Sequence, residues 1–599
     1  MSERSNGGDL LVQVLRAYGV GTVFGVVSVH NLPLVEAVER DLRFVAVRHE
    51  AAAVNAADAH ARVSGGLGCA LTSTGTGAGN AAGSLIEALS AGSRVLHVTG
   101  NIDSAYLGQG RGVIHETKDQ LTMLTAVSKH AETVPSAGAA ARILYEAAAT
   151  ALALPQGPVS VEWPIDLQYA AQSLRYAAQS LQCAVQSLDG SPASSAEPDN
   201  ASEGQAEGLA EAVEALAVAR RPVIWAGGGA RTAGAEIKAL AERLGAPILT
   251  SNAGRGTVSE DHELVVGNFA AHPAGQALLA DADLLLSVGT HFRSNETRHY
   301  KLELPVRHVQ IDVDPAALGR AYPITTGLCG EASRILADLL AGLSSALPSV
   351  LASDRSADLS ADLAPDLSAD LPAGLSADPP AEAAAEEGWR ARAVDGRRIV
   401  RERLRADIGP YAKINDAIRS HLDPASPIAR DVTIPSSQWG NRLLPILDPA
   451  TNVFPLGGGI GQGLAMGIGA ATARPDVPTL VIAGDGGLSV HLGELATLAQ
   501  ERPWLVLLVF NDGGYGVLRN MQDVHMERRS GVDLFTPDFE ALARSMAMPY
   551  ALVQDAGAFE EAFGKAVAAR EPYFLEVDVT SVGPTPVPFV PPVPIPKAG

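Results

Sequence analysis

The sequence predicts an α/β protein built as three doubly wound, parallel-sheet domains in succession. Short apolar runs that end in Gly, Pro or Thr alternate with helix-like segments, the pattern of strand–helix–strand units with parallel strands. The pattern recurs in three blocks separated by compositionally biased stretches. The chain has 599 residues, 47% hydrophobic but only 5% aromatic, which suits several alanine- and glycine-rich cores with tight helix–sheet contacts.

In the first block, residues 1–168, "LLVQVLRAYGV" predicts an amphipathic helix, and "TVFGVV", "RFVAVR", "GCALTSTG", "RVLHVTG" and "GPVSVEWP" predict buried strands. A low-complexity linker is expected over 169–206. Its "QYAAQSLRYAAQSLQCAVQSLDG" repeats a seven-residue unit that is also compatible with a helix bearing an apolar stripe. The second block, 207–345, holds "RPVIWAGGGA", "APILTS", "DLLLSVGT" and "RHVQIDVDP" as strands. Residues 346–388, with repeated Ser-Ala-Asp-Leu and many prolines, predict a disordered linker that cannot bury enough apolar surface to order itself. The third block, 389–582, has strands in "TNVFPLG", "PTLVIAGDG", "WLVLLVFND" and "YFLEVDV". The tail, 583–599, is too rich in proline for a helix or a central strand and predicts an extended arm over another surface.

A formal net charge of -22 argues against a nucleic-acid surface, which needs clustered Lys and Arg. Backbone N–H groups and metal ions still allow an anionic ligand. The three cysteines, Cys69, Cys183 and Cys329, are odd in number and far apart, against a disulfide framework or a zinc site. No run approaches the ~20 apolar residues of a membrane span, and the N-terminus lacks the pattern of a secretory signal. A soluble, cytoplasmic protein is expected.

The third block carries the sharpest chemical signal. Asp485 follows "TLVIAG" and Asp512 follows "WLVLLVFN", so both reach the carboxyl edge of one sheet if those strands are neighbours. Two carboxylates with a nearby backbone carbonyl suit a hard cation such as Mg²⁺, and flanking glycines let N–H groups approach an anion that shares the metal. A bare Gly-Asp-Gly alone often marks only a turn.

This arrangement resembles the thiamine diphosphate enzymes, and in particular the acetolactate synthase-like large subunits. Gly484-Asp485-Gly486 is followed 27 residues after Asp485 by Asp512, where that family usually has the second Asn of a pair. The resemblance extends over nearly the whole chain outside the two inserts and the tail. "VRHEAAAVNAADAHARVSG" resembles the segment with the catalytic glutamate, here Glu50. "STGTGAGNAAGSLIEAL" resembles the pyrimidine-side loop, with Asn80 inside it. "PLGGGIGQGLAMGIGAA" resembles the loop that bends the cofactor, with Gly458 and the apolar Ile460, 25 residues before Asp485.

The resemblance implies a pyrimidine-binding, a central and a diphosphate-binding domain. It also implies a homodimer or homotetramer with active sites at the subunit interface. Thiamine diphosphate and Mg²⁺ are the implied cofactors. Asp485, Asp512 and the Gly514 carbonyl are the implied metal ligands. Gly484, Gly486, Gly487, Tyr515 and the "SSQWG" turn with Ser436 and Ser437 are expected around the diphosphate. Glu50 would bond the pyrimidine and relay a proton, and Ile460 would enforce the bend. In the central block, "AGGGARTAG" and "GRGTVSEDHELVVGNFAAHPAG" keep part of the pattern with which acetolactate synthases hold FAD.

Substrate-side residues depart from the synthases. Their aromatic-Gln pair is Ile114-His115 here, and "RGVIHETKDQ" is closer to some 2-oxo acid decarboxylases. "FGVVSVHNLPL" places His30 where those enzymes have a histidine near the active site. A histidine protonates the carbon left by CO₂ loss, or else serves only structural hydrogen bonds in its loop. The first functional expectation is an acetolactate synthase-like carboligase, joining a decarboxylated 2-oxo acid to a second carbonyl compound. The alternatives are a non-ligating 2-oxo acid decarboxylase of benzoylformate or guanidino-oxopentanoate type, a lyase acting on aldehydes, and a non-catalytic cofactor-binding paralogue.

Overall fold

A computed structural model describes residues 5–171, 201–356 and 381–593. Three six-stranded, all-parallel sheets form the frame. The first contains β1 (Thr22–Gly25), β2 (Arg43–Ala46), β3 (Gly68–Thr72), β4 (Val95–Asn101), β5 (His130–Thr133) and β6 (Val159–Pro164), in the order β2-β1-β3-β4-β6-β5. The second contains β7 (Pro222–Ala226), β8 (Ile248–Thr250), β9 (Val265–Gly267), β10 (Leu284–Val288), β11 (His308–Asp312) and β12 (Thr326–Cys329), in the order β12-β11-β10-β7-β8-β9. The third contains β13 (Ile428–Arg430), β14 (Asn452–Val453), β15 (Thr479–Gly484), β16 (Leu505–Asn511), β17 (Tyr550–Val553) and β18 (Tyr573–Asp578), in the order β14-β13-β15-β16-β18-β17.

Counted within each block, the first and third sheets share one strand order, whereas the middle sheet has the order of a dinucleotide fold. In all three, the order reverses next to the block's first strand, opening a crevice at the strand carboxyl ends. In the third block this crevice lies between β13 and β15, where "GDG" begins.

The chain packs as two units, the first and third blocks together in one and Ala196–Arg403 in the other. This corrects the expected start of the third domain at 389. Helix Ala381–Ile408 carries Trp389, whose indole N–H donates to the Pro222 carbonyl oxygen at 3.0 Å, and Ala393 lies in the middle core. The expected linkers are also shorter at their edges. Helix Ala201–Ala217 begins inside the first, while helix Ala332–Ser356 and the start of Ala381–Ile408 enter the second. Runs such as "AEAAAEE" favour helix despite their polarity. The heptad-like repeat and the central Ser-Ala-Asp-Leu stretch lie outside the described residues from 172 to 200 and from 357 to 380. No helix among the described residues is long and apolar enough to cross a membrane.

In the first unit one continuous core runs from Ala52, Ala56 and Leu85 of the first block to Ala465, Ile468 and Val481 of the third. Its centre is the packing of helix Glu50–Ser64 on helix Gly463–Ala473. A Cβ at Gly469 would lie 2.0 Å from the Ala56 carbonyl oxygen, so only glycine permits this approach. The tail crosses the third block as an extended segment. Its Val587 and Phe589 carbonyls accept from Gln438 and Asn520, at 2.8 and 3.0 Å.

Two stability predictions follow from this packing. Gly469→Val should destabilise the first unit by about 3 kcal/mol, because the backbone it meets cannot yield, as read by chemical unfolding. His97 is buried between Thr72 Oγ1 and Ser160 Oγ, and burial lowers its pKa from 6.5 to about 3. Between those values the unfolded chain binds a proton that the folded chain does not, so stability should fall as pH drops from 6.5 towards 3. Urea midpoints across that window should show a shallower slope for His97→Gln.

Candidate active site

The β15–β16 pairing sets the edge that carries Asp485 and Asp512. Gly484 is in register with Phe510, so Asp485 and Asp512 emerge side by side. The Asp512 N–H donates to Asp485 Oδ1 at 3.2 Å, and Thr536 Oγ1 donates to Asp485 Oδ2 at 3.2 Å. Burial and then the Asp485 charge push the Asp512 pKa up to about 6, while Arg519, 3.7 Å from Asp512 Oδ1, pulls it down. Arg519 also donates to the Asp512 and Gly513 carbonyls and to Asp533. Gly513 and Gly514 both have positive φ, and a Cβ at Gly486 would lie 2.7 Å from the Gly514 carbonyl oxygen. Two facing, largely buried carboxylates beside that carbonyl fit a hard divalent cation, with remaining ligands to come from diphosphate oxygens and water. Among the described residues there is no cluster of three or more His, Cys, Asp or Glu that could hold a metal.

Gly486 and Gly487 stand in the first turn of the short helix Asp485–Val490, where N–H groups lack helical partners. The "SSQWG" residues form a π-helical turn, Ser436–Gly440, at the end of β13. Ser436 Oγ is buried there without a hydrogen-bond partner. Tyr515 caps the helix Gly516–His525 and its ring borders Gly486. Ile460 is 39% exposed on a glycine loop that begins where β14 ends. Gly458 beside it has φ 91°, a conformation that favours glycine.

Glu50 is the first residue of helix Glu50–Ser64 and is buried, not the surface acid its charged neighbours suggest. The Asn80 amide donates to its Oε2 at 3.0 Å. A Cβ at Gly77 would lie 2.6 Å from Oε1, which accounts for the small residues of this loop. The same turn contacts the histidine pair. His115 has φ 66°, and its carbonyl oxygen would lie 2.1 Å from a Cβ at Gly75. Its Nδ1 is 3.4 Å from His30 Nδ1, so the structure joins two histidines that sequence reading could only place separately. His30 is buried, and burial followed by the neighbouring His115 lowers its pKa. Glu116 accepts from the N–H groups of Gly110, Gly112 and Val113 and thereby folds the loop that carries His115.

Several residues of the site had no sequence signal. Gln120 accepts from the Gly75 N–H at 2.7 Å and donates to Glu162 at 3.1 Å, tying the turn to β6. Glu87 and Asp431 hold the Ile460 loop, and His491 Nδ1 bonds the Gly461 carbonyl oxygen at 2.9 Å. The His491 ring is 5.1 Å from His49, which caps the Glu50 helix. All act through contacts between segments far apart in the chain.

Comparison with known proteins defines the class. The N-terminal thiamine pyrophosphate-binding domain of thiamine pyrophosphate enzymes matches residues 5–123, their central domain 209–339, and their C-terminal binding domain 435–577. A probable 2-ketoarginine decarboxylase of Pseudomonas aeruginosa is 31% identical over 92% of this chain and 89% of its own. A probable acetolactate synthase large subunit of Methanocaldococcus jannaschii is 27% identical over 98% and 93%. The solved 4-hydroxybenzoylformate decarboxylase of Rhodococcus jostii shares the fold, with TM-score 0.72 and 24% identity over 96% of this chain and 99% of that one. The chain belongs to the thiamine diphosphate-dependent enzymes. Within them it is an enzyme of the acetolactate synthase-like or 2-oxo acid decarboxylase type.

Asp485→Asn should weaken Mg²⁺-dependent binding of thiamine diphosphate by at least about tenfold if the two facing carboxylates are the cation's ligands, because one of the two charges is removed. Calorimetric titration of the intact protein measures this, and unchanged affinity would show that Asp485 is not a ligand.

Proposed function

We propose that the enzyme decarboxylates a 2-oxo acid and releases an aldehyde, with the His30–His115 pair delivering the proton. The observation that carries this reading is the 3.4 Å Nδ1–Nδ1 contact between those rings. At that contact one nitrogen must donate and the other accept, so the pair holds one proton between them. Burial, and then the neighbouring His115, lower the His30 pKa and so favour its neutral form. Bound thiamine diphosphate supplies the nucleophile and the electron sink for the reaction. Glu50, with Oε2 held by Asn80, keeps Oε1 for the proton exchanged with the pyrimidine. Asp485, Asp512 and the Gly514 carbonyl would hold Mg²⁺, the Ser436–Gly440 turn and Gly486–Gly487 would flank the diphosphate, and Ile460 would support the cofactor.

The assembly proposed with this is a homodimer or a pair of dimers. Val27 and Val29 near His30, and Leu518, Val524, Met526 and Phe535 of the third block, are exposed apolar side chains that a second copy would cover. The ligating reaction is the second reading, supported by the acetolactate synthase large subunits among the relatives, including one of Escherichia coli at 25% identity over 96% of this chain. FAD at the central block rests on the resemblance alone.

Proton NMR of the protein with thiamine diphosphate, Mg²⁺ and each of pyruvate, benzoylformate and 5-guanidino-2-oxopentanoate tests the reading. Release of the aldehyde as sole product is expected for at least one of them, and a 2-hydroxy-3-oxo acid from pyruvate would assign ligation instead. Glu50→Gln and His115→Ala should each lower kcat by about 100-fold or more while the oligomer persists. Full activity of His115→Ala would remove the histidine pair from the mechanism.

A further inference from the structure

The run Gly457-Gly458-Gly459-Ile460-Gly461-Gln462-Gly463 is held by two buried carboxylates in strict alternation. Glu87 accepts from the Gly457 N–H and, at 2.6 Å, from the Gly459 N–H. Asp431 accepts from Gly461 at 3.0 Å and from Gly463 at 3.3 Å. Every second N–H of the run is therefore spent on a carboxylate, and the residues between, Gly458 and Ile460 among them, are left to face elsewhere. Both acids are almost wholly buried. A Cβ would lie 2.8 Å from the Glu87 carboxylate at Gly457, 2.9 Å from its Oε1 at Gly459, and 2.8 Å from Asp431 Cβ at Gly463. At Gly461, φ is 79° and a Cβ would lie 2.6 Å from Val490. The glycines are where the clamp leaves no space for a side chain.

The two carboxylates come from different blocks. Asp431 follows β13 in the third block, whereas Glu87 lies on helix Thr76–Ala91 of the first. That helix also carries Asn80, which holds Glu50. A buried carboxylate needs donors to stay charged, and a glycine loop needs acceptors to stay in one conformation. Asp431 does this within the third block, whereas Glu87 and the Gly457 and Gly459 N–H groups satisfy each other only when the two blocks are docked.

We propose that Glu87 is a positioning residue for the loop of Ile460: it sets the loop's conformation from the pyrimidine-binding block, jointly with Asp431. The same helix places Asn80 against Glu50 and Glu87 against the loop, so one element of the first block holds both the Glu50 side chain and the loop of Ile460. The inference rests on the cofactor-bending role given to Ile460 above.

The test uses the full chain with Glu87→Ala and the nearly isosteric Glu87→Gln, which keeps one acceptor oxygen. Hydrogen exchange of the cofactor-free protein reads the clamp directly. In Glu87→Ala, two amides within the segment 457–463 should exchange about tenfold faster or more, since each loses its acceptor. Glu87→Gln should fall between that variant and the parent. With thiamine diphosphate and Mg²⁺ bound, the near-ultraviolet circular dichroism of the aminopyrimidine should weaken in Glu87→Ala. Its kcat should drop about tenfold with KM within about twofold. Exchange at the parental rate, or faster exchange with unchanged dichroism and kcat, would overturn the proposal. If Glu87→Ala does not fold, the Glu87→Gln results decide by the same criteria. Exchange and dichroism need no substrate, so inactivity on every 2-oxo acid refutes the proposed reaction and leaves this test standing.

Discussion

Helix Glu50–Ser64 and helix Gly463–Ala473 meet through alanine and glycine, at a separation that leaves no room for even a methyl group on Gly469. The contact merges the cores of the first and third blocks into one. Glu50 stands at the start of one helix, and the loop of Ile460 runs directly into the other. Dispersion between closely packed small side chains is individually weak and collectively large, so this interface stabilises as it positions. The two sheets it joins share a strand order, and each opens its crevice beside its own first strand.

The buried acids of the first unit divide by what compensates them. Asp431 and Glu87 take backbone N–H groups, Glu50 takes the Asn80 amide, and Asp58 pairs with Arg62. Asp485 and Asp512 instead face each other, with Arg519 answering only part of their charge. Satisfied acids hold structure in place, and the incompletely compensated pair is the one suited to a cation. The histidine pair follows the same logic, because burial of the His30 ring against half-buried His115 disfavours a charge on His30.

Much of this was legible in the chain itself. The long apolar strands β4, β6, β10, β15 and β16 were readable as runs, and Asp485 and Asp512 follow two of them directly. β5, β9, β12, β13 and β17, of three or four residues each, were not, and shortness alone does not explain it, since β1, β2 and β8 are as short and were readable. The start of the third domain was misplaced because helix Ala381–Ile408 is charged along its length and betrays its partner only through Trp389 and Ala393. Glu87 in "SLIEAL" reads as an ordinary helix acid, and Asp431 in "RDVT" as an ordinary turn.

The sequence by itself determined the three α/β blocks, the family, and the residues that lie at strand ends or within glycine-rich loops, since each of these is written in local periodicity and spacing. Only the tertiary structure decided that His30 meets His115, that Glu50 is buried against Asn80, and that Glu87 grips a loop some 370 residues away. Such contacts depend on which faces of distant segments are pressed together. That choice is made by the packing of the whole core, which no local stretch of sequence encodes.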